Sequence, residues 1–373
     1  MNNYFGVPLN RLFQETDVFE KSYGTGQILF RESQLNELRE SIKPVFTNVT
    51  PGNIILYGMP ATGKNCSAYR ILKEVFEATD NAILVQIDCS EMNMPDDIVC
   101  GIIDELLEEQ DQFDEIAMED PVSYLKELIA SKGKIILLYL NDINHLMIYG
   151  NLSDTLLLLS GVNNSFSTPR ISIIATVVDT PRHIGTNLDL GDLDDLSPME
   201  IYFPVYSKDE ITAILTDHAE RGLKPGVLSK ELIDTVAGIA SVSADVRYGI
   251  DLIYGAAMCA EKRNSNCIEE RDIRMYLETA NGLHHDRLIS HLTPVEWEIY
   301  YRIIGLEDTV IKFFSGRAYN RFDPEKPKQS LLKMIISPDP DRNGMKKEDI
   351  NILDLMLAVE RFLDLGLFDA RYI

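Results

Sequence analysis

The sequence predicts an α/β fold built on a parallel sheet, followed by an all-helical domain and a third segment of different composition. Three observations carry this expectation. Through residues 53–177, apolar runs rich in β-branched residues alternate with helical patterns, as strands buried on both faces of a parallel sheet require. The strands then stop, and four helical patterns follow one another to Gly282. From Leu283 onward a helical stretch holding Trp297 leads into a segment rich in Pro, Lys and Asp, then a last helical run. The chain is therefore expected to divide into residues 1–206, 207–282 and 283–373.

Taken in order, residues 53–57 (NIILY), 83–88 (ILVQID), 135–140 (IILLYL) and 171–177 (ISIIATV) read as buried strands. Helical spacing occupies 65–78, 94–109, 121–131 and 152–160 between them, and 209–221, 229–239, 244–263 and 269–280 after them. In the last segment, helices are expected over 294–304 and 347–365, the latter stopping at Gly366.

Composition bounds the function. At 373 residues and 45% hydrophobic, the chain has the material for several cores. It has no apolar run approaching the roughly 20 residues of a membrane span, and residues 1–15 lack the pattern of a secretory signal. Five scattered cysteines with no metal-binding spacing point to a reduced, cytoplasmic setting. The net charge is −24, which opposes non-specific contact with nucleic acid. That charge is uneven. Residues 285–373 carry 13 Lys+Arg against 15 Asp+Glu, leaving 22 against 44 in residues 1–284, and residues 312–347 hold nine basic side chains against four acidic ones. Room remains there for one local DNA contact.

The strongest motif is Gly58-Met59-Pro60-Ala61-Thr62-Gly63-Lys64-Asn65, leading into Cys66. It follows a strand and opens a helix, with the Walker A spacing. Glycines at both ends let backbone N–H groups turn inward around phosphates, Lys64 supplies charge to the outer phosphates, and the helix N-terminus adds its dipole. The expected ligand is ATP or ADP. Where a Ser or Thr normally places its hydroxyl on magnesium, this chain has Asn65, whose amide oxygen is a weak substitute. The Cys66 thiol has no catalytic partner in the sequence and reads as packing.

Several stretches, in order, resemble the archaeal replication initiators of the origin-recognition and cell-division-control AAA+ ATPase family. Phe30-Arg31-Glu32, the approach 53–58 to the loop, Ile201-Tyr-Phe-Pro-Val-Tyr206, Leu223-Lys-Pro-Gly-Val-Leu228 and Ala244-Asp-Val-Arg-Tyr-Gly-Ile-Asp-Leu252 carry the match. The resemblance implies an AAA+ core, a helical lid, a C-terminal winged-helix-like domain that grips duplex DNA, and assembly with other initiator subunits. It also implies an acidic pair after the third strand, a polar sensor after the fourth and an arginine finger before the lid. Here those positions hold Asn141-Asp142, Val178 and Gly191. Asp142 is left as the degenerate catalytic acid, so hydrolysis is expected to be impaired. Arg247 matches the lid arginine that reaches the γ-phosphate; the alternative is an ordinary helix-surface arginine. In the last helix, Asp354, Glu360, Arg361 and Asp364 fall on the face away from the apolar stripe, a poor chemistry for a DNA groove. The alternative reading is a catalytically silent scaffold that binds protein partners and not DNA. His284, His285 and His291 read as a solvated linker.

Overall fold

The computed structural model describes residues 11–20, 28–107, 120–178 and 198–293, with scattered positions between 296 and 367. Contacts divide the chain into two units, Met1–His284 and His285–Ile373.

In the first unit, five parallel strands form one sheet in the order β2-β3-β4-β1-β5. They are β1 (Ile54–Gly58), β2 (Ala82–Asp88), β3 (Ile135–Asn141), β4 (Ile171–Val178) and β5 (Met199–Tyr202). The first four end within one residue of their expected bounds. The sequence reading lacked β5: only Ile201 of its four residues is buried, so this edge strand has almost no apolar signal.

Side-chain alternation covers both faces of the sheet. Ile54, Leu56, Leu137, Tyr139 and Ile174 pack with α1 (Glu32–Ile42) and α2 (Lys64–Ala78). Ile55, Ile136, Leu138, Leu140 and Ile173 pack on the opposite face with α3 (Pro95–Leu106), α4 (Pro121–Lys132) and α6 (Leu152–Asn163). A short helix, α5 (Asn144–Ile148), leaves the end of β3.

Four helices follow: α7 (Lys208–Gly222), α8 (Lys230–Val242), α9 (Val246–Lys262) and α10 (Glu270–Ile289). Ser207 opens α7 with a reciprocal capping box, and Ser229 and Asp245 accept from backbone N–H groups at the starts of α8 and α9. Helix α10 runs through Gly282 and past the expected boundary at 282/283. A single helix-interior glycine costs only about 1 kcal/mol, which the turns on either side of it outweigh. His284 and His285 thus lie in a helix and not in a solvated linker; the His284 Nδ1 sits 2.7 Å from the Asp245 carboxylate.

The N-terminal stretch 11–20 belongs to this helical layer, although the sequence groups it with the sheet. Leu12, Phe13, Val18 and Phe19 are buried in the helices' hydrophobic core. The Leu12 N–H donates to Glu261 Oε1 (2.9 Å), and the Gln14 N–H donates to the Gly222 carbonyl (2.8 Å). A Cβ at Gly222 would lie 2.2 Å from the Phe19 ring, so this crossing requires glycine. Among the described residues, no helix is long and apolar enough to cross a membrane.

In the second unit, Arg361 corrects the expectation of an exposed face. It is buried, donating to Glu296 Oε1 (3.2 Å) and to the His291 carbonyl (3.0 Å). A carboxylate that is itself buried draws the guanidinium inward, since each charge needs a partner there. The basic stretch 312–347, most of the last helix and any winged-helix arrangement lie outside the described residues.

Candidate nucleotide site

The loop Gly58–Lys64 starts at the end of β1, where Gly58 is in register with Val178 of β4. Gly58 has φ +148°, and a Cβ there would sit 2.3 Å from the Phe203 carbonyl oxygen. Gly63, at φ +89°, caps α2 and leaves space that the Tyr206 hydroxyl approaches; a Cβ would stand 2.8 Å from it. Glycine is thus imposed at both ends by crowding as well as by backbone conformation. Thr62 closes the turn through its hydroxyl, which donates to the Met59 carbonyl (2.8 Å).

Lys64 is buried, and its ammonium donates to the carbonyls of Gly58 (2.6 Å) and Met59 (2.7 Å). Burial pulls its pKa down to about 7; Asp142 acts in the opposite direction and Arg31 adds to the fall. The charge is therefore held without water at the loop mouth, where a phosphate would stabilise it.

Arg31 has a role the sequence did not disclose. Its guanidinium donates to Thr62 O (2.8 Å), Phe30 O (2.8 Å) and Pro204 O (2.6 Å), and lies 3.7 Å from the Tyr206 ring centroid. It ties the loop to the segment leading into α7. The same burial lowers the Arg31 pKa and pushes the Tyr206 hydroxyl up to about 12. The signal in the sequence was an arginine directly ahead of an amphipathic helix, which by itself names no partner.

At the end of β3, Asn141 meets Asn65. The Asn65 amide donates to Asn141 Oδ1 (2.6 Å), which also receives the Thr176 hydroxyl (3.2 Å). The Asn141 amide nitrogen donates to Asp88 Oδ2 (3.2 Å), and Asp88 Oδ1 accepts from the backbone and hydroxyl of Ser90. Asp88 is the last residue of β2, in register with Asn141. The carboxyl end of a parallel strand is where ligand-facing acids gather, which is the clue the sequence offered. Two amides engaged with each other, beside a carboxylate already accepting three hydrogen bonds, do not fit a magnesium ion, which favours free carboxylate, hydroxyl and water oxygens.

Asp142 comes next in the chain. Its backbone is left-handed (φ +57°), its N–H donates to the Thr176 hydroxyl (2.9 Å), and its carboxylate lies 3.7 Å from His145 Nε2. Val178 is buried, and both its N–H and its carbonyl bond to the Asn144 amide (2.6 and 3.0 Å), leaving an apolar side chain at the expected polar sensor position. Gly191 lies outside the described residues. Arg247, on α9, donates to the Phe19 carbonyl (2.8 Å) and pairs with Asp251 (3.3 Å). Its charge also reaches the loop helix: burial pushes the Cys66 thiol pKa up, and Arg247 opposes that rise. A thiol held protonated in this way agrees with a packing role.

Residues 212–276 match the Cdc6 AAA+ ATPase-type lid domain, placing a known module on α7–α10 directly after a sheet-and-loop core of the AAA+ kind. The chain is similar to the Cdc6/ORC1-type AAA+ proteins of archaea. It is 26% identical to ORC1-type DNA replication protein 6 of Halobacterium salinarum over 89% of this chain and 91% of the relative. It is 27% identical to ORC1-type DNA replication protein 2 of Methanosarcina acetivorans over 83% and 82%. The fold matches the Aeropyrum pernix ORC2 protein, solved as ADPNP–ADP complexes, with a TM-score of 0.69 at 14% identity, covering 96% of this chain and 91% of that one. It also matches the Aeropyrum pernix ORC1 protein in complex with DNA, with a TM-score of 0.64 at 18% identity over 95% and 88%.

Proposed function

We propose that this protein binds ATP and ADP at the Gly58–Lys64 loop, turns ATP over very slowly, and serves in DNA replication as an initiator-type protein, in origin recognition or its regulation. One contrast carries the reading. The loop keeps both crowded glycines and a desolvated Lys64, while the positions for hydrolysis hold an amide at Asn141 and an aliphatic side chain at Val178. The family relatives are named as replication proteins, and structural neighbours were solved with adenine nucleotides and with DNA. Calorimetric titration with ADP and ATP tests the binding claim directly.

Arg247 separates the two nucleotides. In this reading it moves from the Phe19 carbonyl to the γ-phosphate, so Arg247→Ala weakens ATP by about tenfold or more and ADP little, as expected for one charge-assisted contact. Equal weakening of both would assign Arg247 to holding the N-terminal stretch.

The net charge of −24 favours a second reading, a catalytically silent scaffold that docks protein partners and not DNA. Salt dependence decides between them. Three or four phosphate contacts from residues 312–347 give a slope of log affinity against log salt of roughly −3, at about 0.9 per phosphate. Replacing Lys326, Lys328, Lys346 and Lys347 with Glu abolishes duplex binding and leaves nucleotide affinity unchanged. The absence of duplex binding at low salt supports the scaffold.

A further inference from the structure

We infer that nucleotide binding at this loop is independent of magnesium, because the Asn65–Asn141 amide pair closes the position a metal ion would take. The inference rests on the nucleotide-binding reading above and goes beyond it.

The orientation of each amide is dictated by its neighbours. The Asp88 carboxylate can only accept, so the Asn141 nitrogen faces it and the Asn141 oxygen faces the loop. That oxygen then receives Asn65, Thr176 and, at 3.4 Å, the Tyr139 hydroxyl. Its lone pairs are committed to these donors. Asn65 spends an N–H on the same oxygen, which turns its NH2 group, the end with no lone pair for a cation, toward the gap between α2 and β3.

A cation entering between the two side chains would meet an N–H on one side and a saturated oxygen on the other. Displacing this network costs several hydrogen bonds and supplies no negative ligand from either side chain. Magnesium also dehydrates reluctantly and demands near-octahedral oxygen geometry. Phosphate charge is left to the loop's N–H groups, the α2 dipole and Lys64, none of which requires a metal.

The test titrates the full-length chain with ADP and with ATP, once with magnesium chloride and once with EDTA. Wild-type affinities are expected to agree within about twofold between the two conditions, well below the tenfold or more that one charge-assisted contact represents. The double variant Asn65→Thr, Asn141→Asp rebuilds a hydroxyl and carboxylate pair, and is expected to bind ATP about tenfold or more tightly with magnesium than with EDTA. A melting curve checks that the variant folds, and the single variant Asn141→Asp, which supplies the missing carboxylate, is the fallback: it is expected to bind ATP more tightly with magnesium than with EDTA, and a folded variant that stays indifferent to EDTA overturns the inference. A wild-type affinity that falls tenfold in EDTA overturns the inference while leaving nucleotide binding intact. Absence of binding in both conditions overturns the nucleotide-binding reading itself.

Discussion

Single-turnover ATP hydrolysis by the full-length chain is expected to run about 10⁴-fold or more below that of a site with complete machinery, given losses of about 10²-fold or more for each missing catalytic group. Two positions carry this expectation. Asn141 is bound to Asn65 and Asp88, and the Val178 side chain cannot orient a water. Asp142 is not expected to replace them: its carboxylate lies 3.7 Å from His145 Nε2, and an aspartate is shorter than the usual glutamate base. Binding behaves differently. Lys64→Ala is expected to weaken ADP and ATP about 100-fold, near the upper end for a charge-assisted contact, because the ammonium is already stripped of water before phosphate arrives. Its pKa adds a pH signature. With a folded value of about 7, Lys64 is mostly neutral above that pH and must gain a proton to meet phosphate. Affinity therefore falls as pH rises through 7, and calorimetry in buffers of different ionisation enthalpy detects uptake approaching about one proton per nucleotide one unit above that pKa and little one unit below. Turnover near 1 s⁻¹ that Lys64→Ala removes would defeat this account, since that is the rate of an ordinary phosphoryl-transfer enzyme to order of magnitude (about 1–100 s⁻¹).

Replacing Arg31 with Ala is expected to destabilise the first unit by about 3 kcal/mol, from one buried and two part-buried carbonyls left without their donor. Those carbonyls belong to Phe30, Thr62 and Pro204, which lie on three separate stretches of chain. The Tyr206 ring loses its stacking partner as well. Arg31→Lys retains a charge over the ring but not the planar fork, and recovers only part of the loss. Urea denaturation reports the change through its midpoint. A loss below about 1 kcal/mol, the value of a solvent-exposed pair, would mean that Arg31 does not hold the loop to the lid segment.

The four inner strands were legible because burial on both faces writes itself as unbroken runs such as IILLYL and ISIIATV. The phosphate loop was legible for a related reason: its glycines recur at fixed spacing between a strand and a helix. The likeness to Cdc6/ORC1-type proteins was legible in short stretches in the right order, even though each is weak alone. Elsewhere the sequence was silent or misleading. MEIY at the sheet edge buries one residue and so gave no strand pattern, the helix expected to stop at 280 continues to Ile289, and Arg361 read as exposed when its partner is a buried glutamate more than sixty positions earlier.

Residue type alone carried the expectation of a phosphate loop with a reduced hydrolytic set, because an amide or an aliphatic side chain lacks the chemistry of an acid or a polar sensor wherever the chain puts it. Only the tertiary structure decided what the replacements do. Asn65, Asn141 and Asp88 come from α2, β3 and β2, and Arg31 joins stretches separated by up to 173 positions. Hydrogen bonds act over about 3 Å while helical and strand periodicities repeat over a few residues. Partners from different elements therefore leave no periodic trace along the chain, and they become readable only when the sheet brings the strand ends side by side.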